Sequence, residues 1–354
     1  MTDTFRHWVF DLTERVLEGH DVDRDEALRL LSAEGPDVME LFNGANRIRA
    51  ARAGEEVHLC SIVNVKSGRC SEDCGFCSQS VHFDSDVEDY PFLDDETISE
   101  HVALAKENGA EALGLVAAWR GLRPGRTLER VIEAIRKAKE DAADLHIDAS
   151  LGLIEDEEIP AMLKEAGLTT YNHNLETSRR HFTSVCSSHD YEARIRTLEL
   201  MGAAGVRRCS GGIFNMGEDD SDRVDLALTL RELGVEVIPL NFLNPMEGTP
   251  LSEQPLLRPL DCLKIIAMFR FVLPERQLMI AGGREVNLRE LQPMMFFAGA
   301  SHTMAGNYLT SGGRDASEDH AMLTDLGLNP TRSMAPESRR ATMPKRGALP
   351  ILSS

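Results

Sequence analysis

Between residues 56 and 328 the chain alternates short apolar runs with helix-period segments, and few folds accept that pattern. Strands separated by helical crossovers pair in parallel and bury both faces. The apolar runs read as strands over 57–65, 112–118, 145–151, 170–175, 206–214, 235–242, 278–281 and 301–306. Amphipathic stretches at 98–108, 127–142, 157–166, 191–204, 221–233 and 261–271 read as the helices between them. Eight such units predict an α/β fold of the (β/α)8 type, with an open doubly wound sheet as the alternative. Residues 1–55 read as an N-terminal helical extension, with Val9, Leu12 and Val16 on one helix face and Asp23 placed to cap the next helix. Residues 329–354 are rich in Pro, Arg and Ser without an apolar period, so a disordered tail is expected after the 56–328 barrel.

Of the 354 residues 42% are hydrophobic, enough for a large core, but only 5% are aromatic, so aliphatic side chains must fill most of it. The formal net charge of -20 argues against nucleic acid or an anionic membrane surface as partner. Seven Lys stand against 31 Arg. Two readings fit this acidic, Lys-poor balance: a high-salt host, or a GC-rich genome. No apolar run reaches the length of a membrane span, and the first residues lack a basic-then-apolar leader, so a cytoplasmic location is expected.

The chemistry concentrates after the first strand, in Cys70-Ser-Glu-Asp-Cys74-Gly-Phe-Cys77. Seven Cys are present, and three fall within this one loop. In a reducing compartment such crowding points to metal rather than disulfides. A structural zinc site wants four ligands, commonly in paired C-x2-C units. Here three thiols come together, and His82 is a poorly placed fourth. Three thiolates can hold a 4Fe-4S cluster and leave one iron open. That open iron can chelate S-adenosylmethionine and pass an electron to its sulfonium, with Phe76 covering the cluster. The loop follows a strand, and the C-terminal ends of barrel strands are where such enzymes place their chemistry.

Polar insertions in apolar strands add to this. Asn172, Asn174 and Glu176 alternate and are expected on one strand face, and Asn241 interrupts Ile-Pro-Leu-Asn-Phe-Leu. Polar groups facing a barrel interior need partners, which a ligand or ordered water supplies. The segment from Gly211 to Glu218 reads as a turn whose backbone can approach a nucleoside, or as an ordinary βα turn. Cys186 lies before a helix with no assigned role, and Cys262 reads as core.

The blocks NVKSGRCSEDCGFCSQS, YNHNLET, CSGGI, NFLNPMEGTPL and AGGREVNLRELQP resemble biotin synthase, over about residues 8 to 328. The resemblance implies a (β/α)8 barrel, a homodimer, and conversion of dethiobiotin to biotin. In that family a 5′-deoxyadenosyl radical abstracts hydrogen and sulfur comes from an auxiliary 2Fe-2S cluster. An electron donor such as flavodoxin or ferredoxin is implied. Carried over by position, Cys70, Cys74 and Cys77 match the radical-generating cluster. Arg194 matches the arginine that pairs with the methionine carboxylate. Asn172, Asn174 and Glu176 match the strand meeting S-adenosylmethionine and dethiobiotin, and Asn241 matches a position meeting the substrate ring.

The resemblance breaks at the auxiliary cluster. The family holds it with three Cys and one Arg on four strands, and only Cys209 is retained. The other positions read Gly114, Asp148 and Met279. Cys60 on the first strand and His302 on the last are both expected inward, so Cys60, Cys209, His302 and Asp148 form one alternative ligand set. Cys60 and His302 as ordinary core residues form the other reading. A related radical enzyme that inserts no sulfur is the functional alternative, and a non-catalytic metal-binding protein is a third.

Overall fold

The computed structural model describes residues 4–306 and 313–334. Eight parallel strands close into a barrel: β1 (Glu56–Lys66), β2 (Ala112–Ala117), β3 (His146–Ser150), β4 (Leu168–Asn172), β5 (Arg207–Cys209, continued as Gly212–Phe214), β6 (Val237–Phe242), β7 (Gln277–Ile280) and β8 (His302–Met304). Neighbours follow chain order, and β8 pairs with β1 through His58↔His302. This closure removes the open-sheet alternative. The strand expected over 206–214 is broken in two. At the break an added Cβ on Gly211 would lie 1.9 Å from the Pro239 carbonyl oxygen, so only glycine lets the two backbones meet.

The helices α1 (Phe5–Leu17), α2 (Arg24–Leu31) and α3 (Asp37–Ala53) form the N-terminal extension. Asp23 caps α2 in a capping box with Glu26. The outer wall includes α4 (Asp95–Glu107), α5 (Arg126–Asp141), α6 (Ile159–Ala166), α7 (Arg179–Phe182), α8 (Tyr191–Ala203), α9 (Asp220–Glu232) and α10 (Pro259–Val272). The extension packs on this wall: Lys264 donates to the Leu31 carbonyl at 3.0 Å and Arg231 to the Val22 carbonyl at 2.8 Å. Leu12, Leu30, Phe42 and Ile48 join Phe269 and Phe271 of α10 in one continuous core, and Cys262 is buried within it. The segment expected to be tail begins instead with order. Asn329–Pro330 pairs with β1, and Arg332 bonds the Asp144 carbonyl at 2.9 Å. Residues 335–354 of that expected tail lie outside the described residues.

Alternate residues of each strand point into the barrel. Ordinary barrels stack branched aliphatics there. Here a middle layer of Cys60, Gly114, Asp148, Thr170, Cys209 and Met279 leaves a cavity. Small and polar side chains do not fill the space, so the interior becomes a site rather than a plug.

Candidate active site

The C-terminal mouth of the barrel opens as a cleft lined by Cys70, Cys74, Phe76 and Cys77 on one side and by Asn172, Asn174, Glu176, Arg194 and Asn241 on the other. The tertiary structure therefore brings together all the residues that the sequence marks for the primary site. His82 is not among them; its ring bonds the Ser71 carbonyl at 3.1 Å on the exposed side of the loop.

The thiol loop is held from two directions. Within it, Cys77 N–H donates to the Cys74 carbonyl at 2.9 Å and Cys70 N–H to the Gln79 carbonyl at 2.9 Å. Across it lies the segment from Val185 to His189. Gly75 N–H donates to the Val185 carbonyl at 2.8 Å, and Asp73 accepts from the backbone N–H groups of Ser187 and Ser188, both at 2.9 Å. These donors and the Ser187 hydroxyl hold the Asp73 carboxyl well below its usual range, against the opposing pull of burial. Cys186 is carried to the cluster side by this segment, with its Sγ 3.8 Å from Cys74 Sγ. No spacing rule joins residues this far apart in sequence, so its place was not legible there.

Arg194, on α8, is buried beside the thiols. Its Nη1 donates to the Asn174 carbonyl at 2.6 Å and to Glu176 at 3.3 Å, and its Nη2 lies 3.8 Å from Cys74 Sγ. Its guanidinium also stacks 5.3 Å from the Phe182 ring centroid. Nε donates to His189 Nε2 at 2.9 Å, and His189 in turn bonds Glu72. Arg120 and Ser188 hold Glu72 at 2.9 and 2.6 Å.

The expected single strand face for Asn172, Asn174 and Glu176 needs correction. β4 ends at Asn172, and Glu176 has left-handed backbone at φ 68°, bridging to Gly212. All three reach the cleft, but from a strand end and an irregular turn. Asn174 accepts from Gly211 N–H at 3.1 Å; Asn241 accepts from Gly282 N–H at 2.8 Å and donates to the Gly212 carbonyl at 3.1 Å. These two amides therefore staple the strand ends as well as lining the cleft. Asn215, in the glycine-rich turn, takes a left-handed φ of 84°.

Asn172 Oδ1 and Glu176 Oε2 are buried without a hydrogen-bond partner. Burial pushes Glu176 upward from its usual range. Burial likewise raises Cys70 and takes Cys77 to about 11, so thiolates here need a positive partner. Unpaired acceptors and three crowded thiols are the donor set that iron and a polar ligand would satisfy.

Residues 64–230 match the radical SAM superfamily, and residues 239–329 match the biotin and thiamin synthesis associated domain. The biotin synthase of Pelobacter propionicus is 49% identical over 323 residues, covering 91% of this chain and 98% of the relative. That of Geobacter sulfurreducens is 48% identical over 317 residues, covering 90% and 96%. The chain belongs to the biotin synthase family. Among solved structures, methylornithine synthase superposes with a TM-score of 0.77 at 21% identity, covering 91% of this chain and 97% of that one. The FeFe-hydrogenase maturase HydG gives 0.78 at 18%, covering 91% and 75%. These two show the shared fold.

As a biotin synthase family member and a radical SAM protein, the chain takes a 4Fe-4S cluster and S-adenosylmethionine, with dethiobiotin as substrate. Among the described residues no helix is long and apolar enough to cross a membrane. Below the cleft, Cys60, Asp148, Cys209 and His302 line a single cavity with Gly114 and Met279. Met279 sits beside His302 in register, and Gly114 beside Asp148. Burial raises the Cys60 and Cys209 thiols and takes Asp148 to about 6, while one Asp148 oxygen lacks a partner. Two thiols, a carboxylate and an imidazole around one space are a chemically sufficient iron ligand set.

Proposed function

We propose that this chain inserts sulfur into dethiobiotin with Cys70, Cys74 and Cys77 holding the radical-generating cluster and Cys209, Cys60, His302 and Asp148 holding an auxiliary iron–sulfur group in place of the family's usual ligands. The observation that carries this reading is the cavity under the cleft, which Cys60, Asp148, Cys209 and His302 all line and which shares Asn172 with the cleft.

The roles follow from position. A 4Fe-4S cluster on the three thiols supplies one-electron chemistry to the sulfonium of S-adenosylmethionine. Arg194 meets the methionine carboxylate with a guanidinium fork already oriented by Asn174, Glu176 and His189. Asn172, Asn174 and Asn241 present amide groups that orient the dethiobiotin ring between cleft and cavity. Phe76 covers the thiol loop from the cleft side. Barrel walls exclude water from the reacting carbon, which protects a carbon-centred radical. An auxiliary iron–sulfur group held by Cys60, Cys209, His302 and Asp148 would supply the sulfur atom. A flavodoxin or ferredoxin as reductant, and a homodimer, complete this reading.

The test is iron and acid-labile sulfide per chain with Mössbauer spectra on anaerobically reconstituted protein, alongside biotin formation. Iron beyond one 4Fe-4S cluster, lost in Cys60→Ala and Cys209→Ala, is expected. Iron for one cluster only would move the chain to radical chemistry without sulfur insertion, which the replacement of two family ligand positions by Gly114 and Met279 would then explain.

A further inference from the structure

The N-terminal end of a (β/α)8 barrel is ordinarily closed by packed side chains. Here the first inward positions of β1, β3, β5, β7 and β8 are His58, His146, Arg207, Gln277 and His302, and Glu111 joins them just before β2. They line the same cavity as Cys60 and Cys209. The mouth reaches solvent: the His146, Glu111 and His58 side chains keep 44%, 26% and 24% of their exposure.

Charge at this mouth is uneven. Glu111 is satisfied by His58 and by the Thr331 hydroxyl at 3.0 Å, with His146 Nε2 at 3.7 Å. Arg207 donates to Gln277 Oε1 at 2.7 Å, and among the described residues no carboxylate comes within ion-pair distance of its guanidinium. A half-buried guanidinium whose hydrogen-bond partner is an amide oxygen, with Asp148 in the same cavity but outside ion-pair distance, is a seat for a small anion. The cavity of about 100 Å³ has room for small ions and water. Toward the cleft the cavity shares Ile62, Val116, Met279 and Met304, with Ser150 and Asn172, as its wall. An ion arriving from the cleft would cross this mostly apolar collar, whereas from the N-terminal mouth it passes the Glu111–His58–His146 cluster to reach Arg207.

We propose that the N-terminal mouth of the barrel is an entry and binding site for hydrosulfide, seated on Arg207, which restores sulfur beside Cys60 and Cys209 while the opposite mouth holds S-adenosylmethionine and substrate. This rests on the reading that the barrel interior stores the inserted sulfur. The step is binding alone: the anion enters as HS⁻, no bond to carbon forms and no oxidation state changes.

The experiment uses reconstituted holoenzyme after one turnover, given isotopically labelled sodium sulfide, with label in acid-labile protein sulfide followed over time. Arg207→Gln is expected to raise the sulfide concentration for half-maximal uptake about tenfold, as loss of one charge-assisted contact of ~1.4 kcal/mol implies. Arg207→Lys should stay near wild type. His146→Trp, which fills the half-exposed mouth without touching the guanidinium's charge, should slow uptake about tenfold and carries the test alone if Arg207→Gln fails to fold. Uptake at the wild-type rate in Arg207→Gln or His146→Trp overturns the entry site and leaves internal sulfur storage standing. Wild-type protein with no sulfide beyond one 4Fe-4S cluster overturns both.

Discussion

Arg194 Nε donates to His189 Nε2 at 2.9 Å, and that contact assigns the histidine's tautomer. With Nε2 accepting, the ring proton sits on Nδ1 and points at Glu72. The chain Glu72–His189–Arg194 therefore orients the guanidinium before any ligand arrives.

His189→Ala should accordingly weaken S-adenosylmethionine binding about tenfold, the value of a hydrogen bond to a charged group at ~1.5 kcal/mol. Cluster iron should be unchanged. Equilibrium binding on oxidised holoenzyme, whose cluster has no electron to pass to the sulfonium, checks this; equal affinity in variant and wild type would show that Arg194 is held by Asn174 and Glu176 alone.

Cys186 offers the second test. Its sulfur lies 3.8 Å from Cys74 Sγ on a segment fixed by Asp73. Once Cys74 is a metal ligand it has no proton to donate, and the Cys186 proton, directed at Asp73 Oδ1 at 3.3 Å, is shared with the Cys74 sulfur. Hydrogen bonds to cluster sulfurs raise the reduction potential. Cys186→Ala should lower the midpoint potential by about 40 mV, taking ~1 kcal/mol for one bond on a one-electron couple. Cys186→Ser should restore part of it. An unshifted potential in an EPR-monitored titration removes the role.

Gly211→Ala should destabilise the barrel by several kcal/mol, roughly the 3–5 kcal/mol range of severe core lesions. The new methyl would stand 1.9 Å from the Pro239 carbonyl, and backbone cannot rotate away as a side chain can. Urea unfolding of the purified variant gives the answer. Gly19→Ala, with nothing within 4 Å of the added carbon but a φ of 101°, should lose far less.

Glu111 gives a pH dependence. His58, hydrogen-bonded to it, holds its carboxyl at about 2, against an ordinary value near 4.5. A depressed carboxylate stabilises the fold fully above its unfolded value, and that contribution fades as pH falls from about 4.5 toward about 2. Wild-type apoprotein should exceed Glu111→Gln in urea resistance at pH 6, with the gap more than halved by pH 3 and closing near pH 2. A gap independent of pH would assign the effect to packing.

The sequence by itself determined the barrel, the thiol loop and the family. Repeated strand–helix alternation admits few closures, and Cys70, Cys74 and Cys77 are local in the chain, so spacing alone reports their geometry. The expectation that Gly114, Asp148 and Met279 stand at family ligand positions is equally local, because each position is read one at a time. The regular strand face expected for Asn174 and Glu176 was not borne out. Periodicity cannot foresee that Glu176 adopts left-handed backbone to meet Gly212. Only the tertiary structure decided that Cys186 touches Cys74, that His189 braces Arg194, and that Cys60, Asp148, Cys209 and His302 share one cavity. Those relationships join residues on different strands and loops, and closing the barrel is what makes distant positions neighbours.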